Sequence, residues 1–579
     1  MEYITKCRKM KEKVVGLSDV IKRSCNEEED LPSLILPLLF PRNMVKIRWA
    51  DVFDSRKIMR NGKDVFIMMN QEWIQTYREE IHDFSGKIAE FAKGEIARKD
   101  YKGMSGGMGS YAQKDAACHM LRLRMPGGRM TKERLKFLAD MVKEFHVPLV
   151  KLTTCEAVQL HDLKAEQVPV IMEGAIGCGI YSRGGGGDNP RNVMASPLTG
   201  VQRGEAFDVL PWAEAATEYL LSICREIHMP RKLKVAFSNG IDDSVHAAFR
   251  DMGFTANADG TFSLRIAGGL GNNYRMGVLV EESLPAEKIC YYLRAMIDTF
   301  CEYGNYTNRA KARTRYMQET LGADGLKEAY LGKLKPLLEA GGLDVHPTMT
   351  AVDKAGDGEI EDPRAIPQKQ PGLYAVEYHP IGGRFPVEKA GELYEVIKDM
   401  PEVECRVAPE ETLYVINLTA KEAARVLEVT KDGARTVFEH SVSCIGASIC
   451  QQGLRDSQSL LAAAVKAVRE AGIPDGALPR IRVSGCPSSC AGQQAGVIGF
   501  QGFSKPRDGK PASAFKMSID GCDAFGKAKF AEEVGVVYET DVPALLVELG
   551  RAAAAAGQTF EEWSLEHADE RKAIIDKYI

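Results

Sequence analysis

No run of about 18 apolar residues occurs in the 579-residue sequence, which excludes a transmembrane helix. Neither sign of charge dominates: 75 Lys and Arg stand against 80 Asp and Glu, a formal net charge of −5. That balance favours neither nucleic acid nor an anionic membrane as partner. The first residues, MEYITKCRKMKEKVV, lack the apolar core of a secretion signal, so the expected location is cytoplasmic. No phosphate-binding G-x-x-x-x-G-K-[ST] loop is present, and Gly177-x-Gly179 lacks the third glycine of a dinucleotide fingerprint. A second, ferredoxin-like cysteine cluster is also missing. Any redox chemistry in this chain must draw its electrons from a separate protein.

What is present is ordinary globular composition, 45% hydrophobic and 27% charged, in a chain too long for one core. Three or four domains are expected. Residues 1–110 read as an irregular arm, with an acidic run at Glu27–Asp30, a proline-bearing stretch at Leu31–Pro41 and a Gly-rich patch at Gly103–Gly109. The texture then changes. CHMLRLRMPGG reads as a strand and turn, and TKERLKFLADMVKEF (131–145) as a helix with Thr131 as N-cap. LVKLTTCEAVQLHDL reads as a strand with a Thr-rich interruption, and a short helix follows at about 164–175. This order is half of a ferredoxin-like unit.

The unit recurs. A gapless shift of 255 lays Gly127-Gly128-Arg129 on Gly382-Gly383-Arg384, Leu138 on Leu393, and Glu156 on Glu411. A shift of 248 lays KLKV (232–235) on RIRV (480–483). The fold class expected is α+β or α/β, duplicated about a pseudo-twofold axis. The divisions are 1–110 (arm), 111–180 (first ferredoxin-like half), 181–345 (first α/β domain), 346–370 (a polar, proline-bearing linker), 371–435 (second half) and 436–579 (second α/β domain).

Ten of the fourteen cysteines stand singly and read as small buried hydrophobes. The other four are Cys444 and Cys450 in SCIGASICQQG, and Cys486 and Cys490 in VSGCPSSCAGQQ. Soft thiolates suit iron–sulfur clusters and zinc alike, but neither pair has the tight two-residue spacing common around zinc. A cubane accepts wider pairs.

The C-x5-C…C-x3-C pattern, with GCPSSC inside it, resembles the nitrite/sulfite reductase haemoproteins, and the likeness runs from about residue 100 to 540. It implies a [4Fe–4S] cluster on Cys444, Cys450, Cys486 and Cys490, with Cys490 also the axial ligand of siroheme. The two α/β domains would then bind the siroheme and the cluster. The motifs R-x-R-x-P-G-G, N-P-R-N and R-K-x-K stand in the family's order. By resemblance they make Arg122, Arg191, Lys232 and Lys234 the quartet around the open face of the haem. Arg124, Lys151, Thr154, Gln159, His161, Arg309, Arg313 and Arg315 are implied as siroheme contacts. The run from Arg309 to Arg315 alternates as a strand would. Two residues depart from the family pattern: Cys155 replaces a common arginine, and Val497 precedes Ile498-Gly499-Phe500 where an acidic residue is usual.

The activity implied is six-electron reduction of sulfite to sulfide or nitrite to ammonia, with ferredoxin or a flavoprotein as donor. Lys234 points to sulfite, the more highly charged anion, whereas CAGQQAGVIGFQG is more nitrite-like. Sulfite is the reading taken, and nitrite the alternative.

Overall fold

The computed structural model describes residues 69–579 except Asp242. Cys7, Cys25, the acidic run and the proline-bearing stretch lie outside the described residues. Among the described residues are four five-stranded sheets in two repeated pairs.

In one ferredoxin-like half, β1 (Ser110–Ala112) and β2 (His119–Arg124) lie beside β4 (Leu149–Leu152) and β5 (Ala157–Leu163) in the order β1-β2-β5-β4. In the other half, β11 (Ala365–Pro367), β12 (Tyr374–Tyr378), β14 (Glu404–Val407) and β15 (Leu413–Leu418) repeat it as β11-β12-β15-β14. Each sheet takes its last strand from the other copy. β13 (Arg384–Phe385) pairs with β4, and β3 (Arg129–Met130) pairs with β14. The Gly-Gly pairs launch these exchanges: Gly127 and Gly128 have φ of 57° and 69°, Gly382 and Gly383 of 63° and 66°. A Cβ on Gly128 would meet the Val407 carbonyl oxygen at 2.1 Å, so glycine is required there.

One exchange is pinned by charge. Arg129 Nε lies 2.8 Å from Glu404 Oε2, and Arg406 also pairs with Glu404. Burial opposes ionisation of Glu404, but Arg406 and Arg129 outweigh it and hold the carboxyl down to about 2. A depressed carboxylate contributes stability above its ordinary value of 4.5 that is lost as the pH falls toward the folded value. Glu404→Gln is expected to cost on the order of 3 kcal/mol at neutral pH. Urea midpoints should show the gap to the parent narrowing from about pH 5 to about pH 3; a constant gap would count against the pairing.

The second pair of sheets runs β6 (Met194–Ala195), β7 (Val235–Ser238), β8 (Met252–Ala256), β9 (Thr261–Ile266), β10 (Val278–Pro285), and β16 (Val442–Ser443), β17 (Ile481–Ser484), β18 (Ile498–Arg507), β19 (Lys510–Ile519), β20 (Glu532–Tyr538). In both, the first three strands are parallel and the rest antiparallel. The register corrects the gapless match. Ala236 partners Met194 as Arg482 partners Val442, so β7 and β17 are offset by two residues from the KLKV–RIRV alignment. An even slip preserves which side chains share a face, which is why the sequence match looked sound.

Three other readings are corrected. The arm is not irregular over its described part: Gln71–Ala92 and Arg98–Gly107 are helices. Gln71–Ala92 buries Trp73, Tyr77, Ile81, Phe84, Ile88 and Phe91, a helical spacing. The linker contains strand β11, and it is docked, since Lys354 Nζ donates to the carbonyls of Pro401 and Asn417 at 2.9 and 2.8 Å. Arg309–Lys311 and Thr314–Tyr316 are short helical turns, not a strand. No helix among the described residues is long and apolar enough to cross a membrane.

Candidate active site

Cys444 follows β16 and Cys486 follows β17, so both sit where parallel strands end at their carboxyl edge, a usual place for ligands in open sheets. The Cys444 sulfur accepts from the Gly485 amide at 3.2 Å and lies 3.1 Å from Ser457 Oγ. Cys450 Sγ accepts from the Gln452 amide at 3.4 Å. Burial pushes the Cys490 thiol up to about 12, and neighbouring Cys444 adds to it, while Lys232 and Lys234 oppose. Cys490 is exposed by surface area, and its thiol lies within electrostatic reach of both lysines. All four are free thiols.

From the first copy come the amino edges of the equivalent strands. Arg191 precedes β6, and Lys232 and Lys234 precede β7, where Pro190 bridges to Leu233. Arg122 reaches in from β2. Arg122 and Arg191 both donate to the Gly185 carbonyl, Arg191 at 2.7 Å, and Arg191 also donates to Gly187 O at 2.7 Å. Burial, then Arg122, lowers Arg191 to about 10. Lys232 is held well below the usual lysine range by burial and by Arg313, Lys234 and Arg191. At Lys234 the Cys155 thiol pulls upward, but burial and Arg250 outweigh it. Four cations crowd together here, an arrangement that an anion relieves.

Behind Arg122 is a polar relay. With its amide oxygen toward Arg122, Gln159 accepts from Nε and Nη2 at 3.1 and 2.6 Å. The same amide faces His161, whose Nδ1 lies 3.0 Å from Gln113 Oε1. Burial, then Arg122, lowers His161 to about 3, so the imidazole is neutral and serves as a fixed spacer. Thr154 Oγ1 donates to the Cys490 carbonyl at 2.7 Å, which ties the first copy to the cysteine loop.

The other residues expected to contact siroheme have these protein partners. Arg124 donates to the carbonyls of Arg183, Pro190 and Arg191, and Lys151 forms a buried pair with Glu411 at 2.5 Å. Arg309 pairs with Asp188 and Arg313 with Asp251, both at 2.8 Å, and Arg315 donates to the Asn272 and Asn273 carbonyls. Tyr111 was missed by the sequence reading. Its hydroxyl accepts from the Gly187 amide at 2.6 Å, and although burial opposes it, Arg191 and Arg122 lower the phenol overall. It is the first residue of the first ferredoxin-like half, ahead of the strand that begins the recognisable motifs, and a lone tyrosine there carries no pattern. Cys155 was seen only as a departure. Burial would raise its thiol, but Lys234, Arg250 and Lys232 bring it down to about 6.

Residues 111–176 match the ferredoxin-like half domain of nitrite/sulfite reductases, and residues 186–336 match the nitrite and sulphite reductase 4Fe-4S domain. The chain belongs to the nitrite and sulfite reductase family. It is 27% identical to a ferredoxin–nitrite reductase of Synechococcus elongatus over 73% of this chain and 83% of that protein. It is 24% identical to "Sulfite reductase [ferredoxin] 1" of Mycolicibacterium paratuberculosis over 82% of this chain and 90% of that one. The fold overlays the Mycobacterium tuberculosis NirA protein with a TM-score of 0.68 at 21% identity, covering 83% and 93% of the two chains.

As a member of the nitrite and sulfite reductase family the chain is an oxidoreductase, and its cofactors are siroheme and a [4Fe–4S] cluster. The cysteines fit the cluster better than zinc. A tetrahedral zinc with 2.3 Å bonds needs sulfurs about 3.8 Å apart. Among the described residues, the one group of three or more ligand atoms lying within 4.8 Å of one another is His246, Glu410 and Asp523, which includes no cysteine. That group already holds a cation, since Arg482 pairs with both Glu410 and Asp523.

Proposed function

We propose that the chain reduces a small oxyanion, sulfite to sulfide or nitrite to ammonia, by six electrons from a ferredoxin. The observation that carries this reading is the clustering of Arg122, Arg191, Lys232 and Lys234, with the two lysines in electrostatic reach of the Cys490 sulfur. Cys444, Cys450, Cys486 and Cys490 would hold the cluster, and Cys490 would also ligate the haem iron. When bound, the cluster would supply single electrons and siroheme an iron centre for the anion.

The protein's own residues do the rest. Arg122 and Arg191 are fixed by the Gly185 carbonyl and the Gln159 amide, so their remaining N–H groups point in a set direction and cost no reorganisation when an anion arrives. Lys232, held below its ordinary range by burial and by neighbouring cations, gives up a proton readily and is the better proton donor; the arginines stay charged and bind. Lys234 is tethered by Cys155 and adds a second ammonium beside it.

Sulfite, which carries more charge near neutral pH, gains more from that second ammonium. Lys234→Gln is expected to lower kcat/KM for sulfite about tenfold more than for nitrite. Steady-state rates of both anions with reduced methyl viologen measure this. A parent that makes ammonia from nitrite faster than sulfide from sulfite would favour the second reading, nitrite reductase, which the cysteine loop and the name of the Synechococcus relative support. Failure to reduce either anion would overturn both.

A further inference from the structure

Each turnover of the proposed reaction consumes at least one proton per electron, so an ammonium that gives up its proton must be recharged from water. A second cavity, of about 440 Å³, offers the way in. Ile241 and Phe525, 42% and 43% exposed, stand at its mouth, and Asp243, Ser244, Glu410 and Asp523 line it. The segment 243–247 runs from this cavity to the cation cluster: Asp243 and Ser244 face the cavity, while Val245 and Ala247 pack against Cys155. The Cys155 sulfur is hydrogen-bonded to Lys234 and in electrostatic reach of Lys232 and Arg250.

The groups along this segment suit proton transfer. His246 is buried within it, its left-handed backbone (φ 58°, ψ 47°) setting the direction of the ring. Nε2 lies 3.9 Å from Glu410 Oε1 on the cavity wall, and Nδ1 has no partner. Arg482 also reaches Glu410, at 3.4 Å. Burial, then Arg482 and Arg250, holds the imidazole well below its usual range against the pull of Asp523. It is therefore neutral, and it can take a proton on one nitrogen while releasing one from the other. Glu156, fully buried next to Cys155, accepts from the Ala195 amide at 3.1 Å on Oε2 and leaves Oε1 unpaired. Burial, with Cys155 and Glu410, holds its carboxyl well above the usual carboxylate range, although the Ala195 amide and Arg250 oppose. Glu156 keeps its proton at neutral pH.

We infer that Glu410, His246, Glu156 and Cys155 form a relay that carries protons from the second cavity to Lys234 and Lys232. The inference rests on the reading of those lysines as cations of the reducing site. Every step moves a proton and no electron. Once Lys234 has lost a proton, Glu156 passes the one on Oε1 to the Cys155 thiolate. The thiol so formed passes it to the Lys234 amine. The Glu156 carboxylate then recovers a proton from the cavity through Glu410 and His246, so one proton enters from solvent for each one delivered.

The test uses the full holoenzyme driven by methyl viologen, with iron content and the visible spectrum checking that its cofactors are loaded. Glu156→Gln keeps an oxygen for the Ala195 amide. It is expected to lower kcat about tenfold or more, with the KM for the anion at the parent's value and a larger solvent deuterium isotope effect on kcat. The loss should widen as the pH rises and protons become scarcer. His246→Ala should show a similar loss, restored by added imidazoles in an order set by their pKa, which mere filling of the hole does not produce. Apart from turnover, the parent should show an infrared band of a protonated carboxyl at neutral pH that shifts in D2O and is absent from Glu156→Gln. Parent-like kcat and isotope effect in both variants would overturn the relay, as would rescue indifferent to pKa or the lack of that band. A parent that reduces neither anion would instead sink the proposed function, and with it the demand for protons that the relay meets.

Discussion

A Cys490→Ser variant is expected to fold, to lose its iron and visible bands, and to reduce nitrite and sulfite at about a thousandth of the parent rate or less. The expectation follows from where the residue sits. Cys444 has a hydrogen-bonded sulfur on the far side of the loop, with Gly485 N and Ser457 Oγ close by. Cys490 instead lies in electrostatic reach of Lys232 and Lys234, and its carbonyl is bonded by Thr154, all three residues of the first copy. A serine there keeps the size and the Thr154 bond to the backbone carbonyl, so the loop has no reason to collapse. What it removes is a soft ligand, and a hydroxyl does not replace thiolate toward iron. Iron analysis, the visible spectrum and far-ultraviolet circular dichroism check the outcome together. Full iron with more than about a tenth of parental activity would remove Cys490 from the ligand set; Cys450→Ser, on the surface-facing side, should lose the cluster as well.

The contrast between the two copies explains how much of this could be read beforehand. The Gly-Gly-Arg repeat was legible because left-handed backbone at Gly127 and Gly382 admits little but glycine. Glu156 and Glu411 matched for a related reason: both have positive φ, 54° and 64°, in the same tight turn between strands. The strand exchange was not legible, because β3 and β13 are two residues long and carry no period. The helix Gln71–Ala92 was legible in principle, with Trp73, Tyr77, Ile81, Phe84 and Ile88 in register, and was lost by reading the whole segment as one arm. The spacing of the cysteine pairs stood out in the sequence, because a cluster needs its ligands whatever the loops between them do. Roles for single cations were less so. Arg124, Arg309 and Arg313 have the right charge in the right motifs, but whether an arginine meets a ligand or a carbonyl is decided by tertiary neighbours such as Asp188 and Asp251.

The same duplication yields the largest expected change in stability. Lys151 and Glu411 come from opposite copies and meet with side chains only 3% and 2% exposed. Lys151 Nζ also donates to Gly382 O at 2.7 Å, and Glu411 Oε2 accepts from the Ser443 amide, next to Cys444, at 3.3 Å. The pair therefore holds the strand exchange and the first cysteine at once. The symmetry-related partners do not meet in this way: Arg406 turns to Glu404, and Glu156 is left with one carboxyl oxygen unpaired. Lys151→Met and Glu411→Gln are each expected to cost about 3–5 kcal/mol, because each leaves one buried charge without its partner. Their pH dependences should be opposite. Burial raises Glu411 to about 7 even beside Lys151, and without the lysine it rises further. A raised carboxyl is stabilising below its ordinary 4.5 and loses that contribution as the pH climbs through the folded value, so the Lys151→Met deficit grows from about pH 6 to about pH 9. Burial lowers Lys151, and removing Glu411 lowers it more, so the deficit of Glu411→Gln grows as the pH falls over the same span. The double variant Lys151→Met with Glu411→Leu leaves no buried charge and should recover most of the loss. Urea midpoints at the two pH values decide it; parallel slopes for the two single variants would show that the pair is not ionised in the fold.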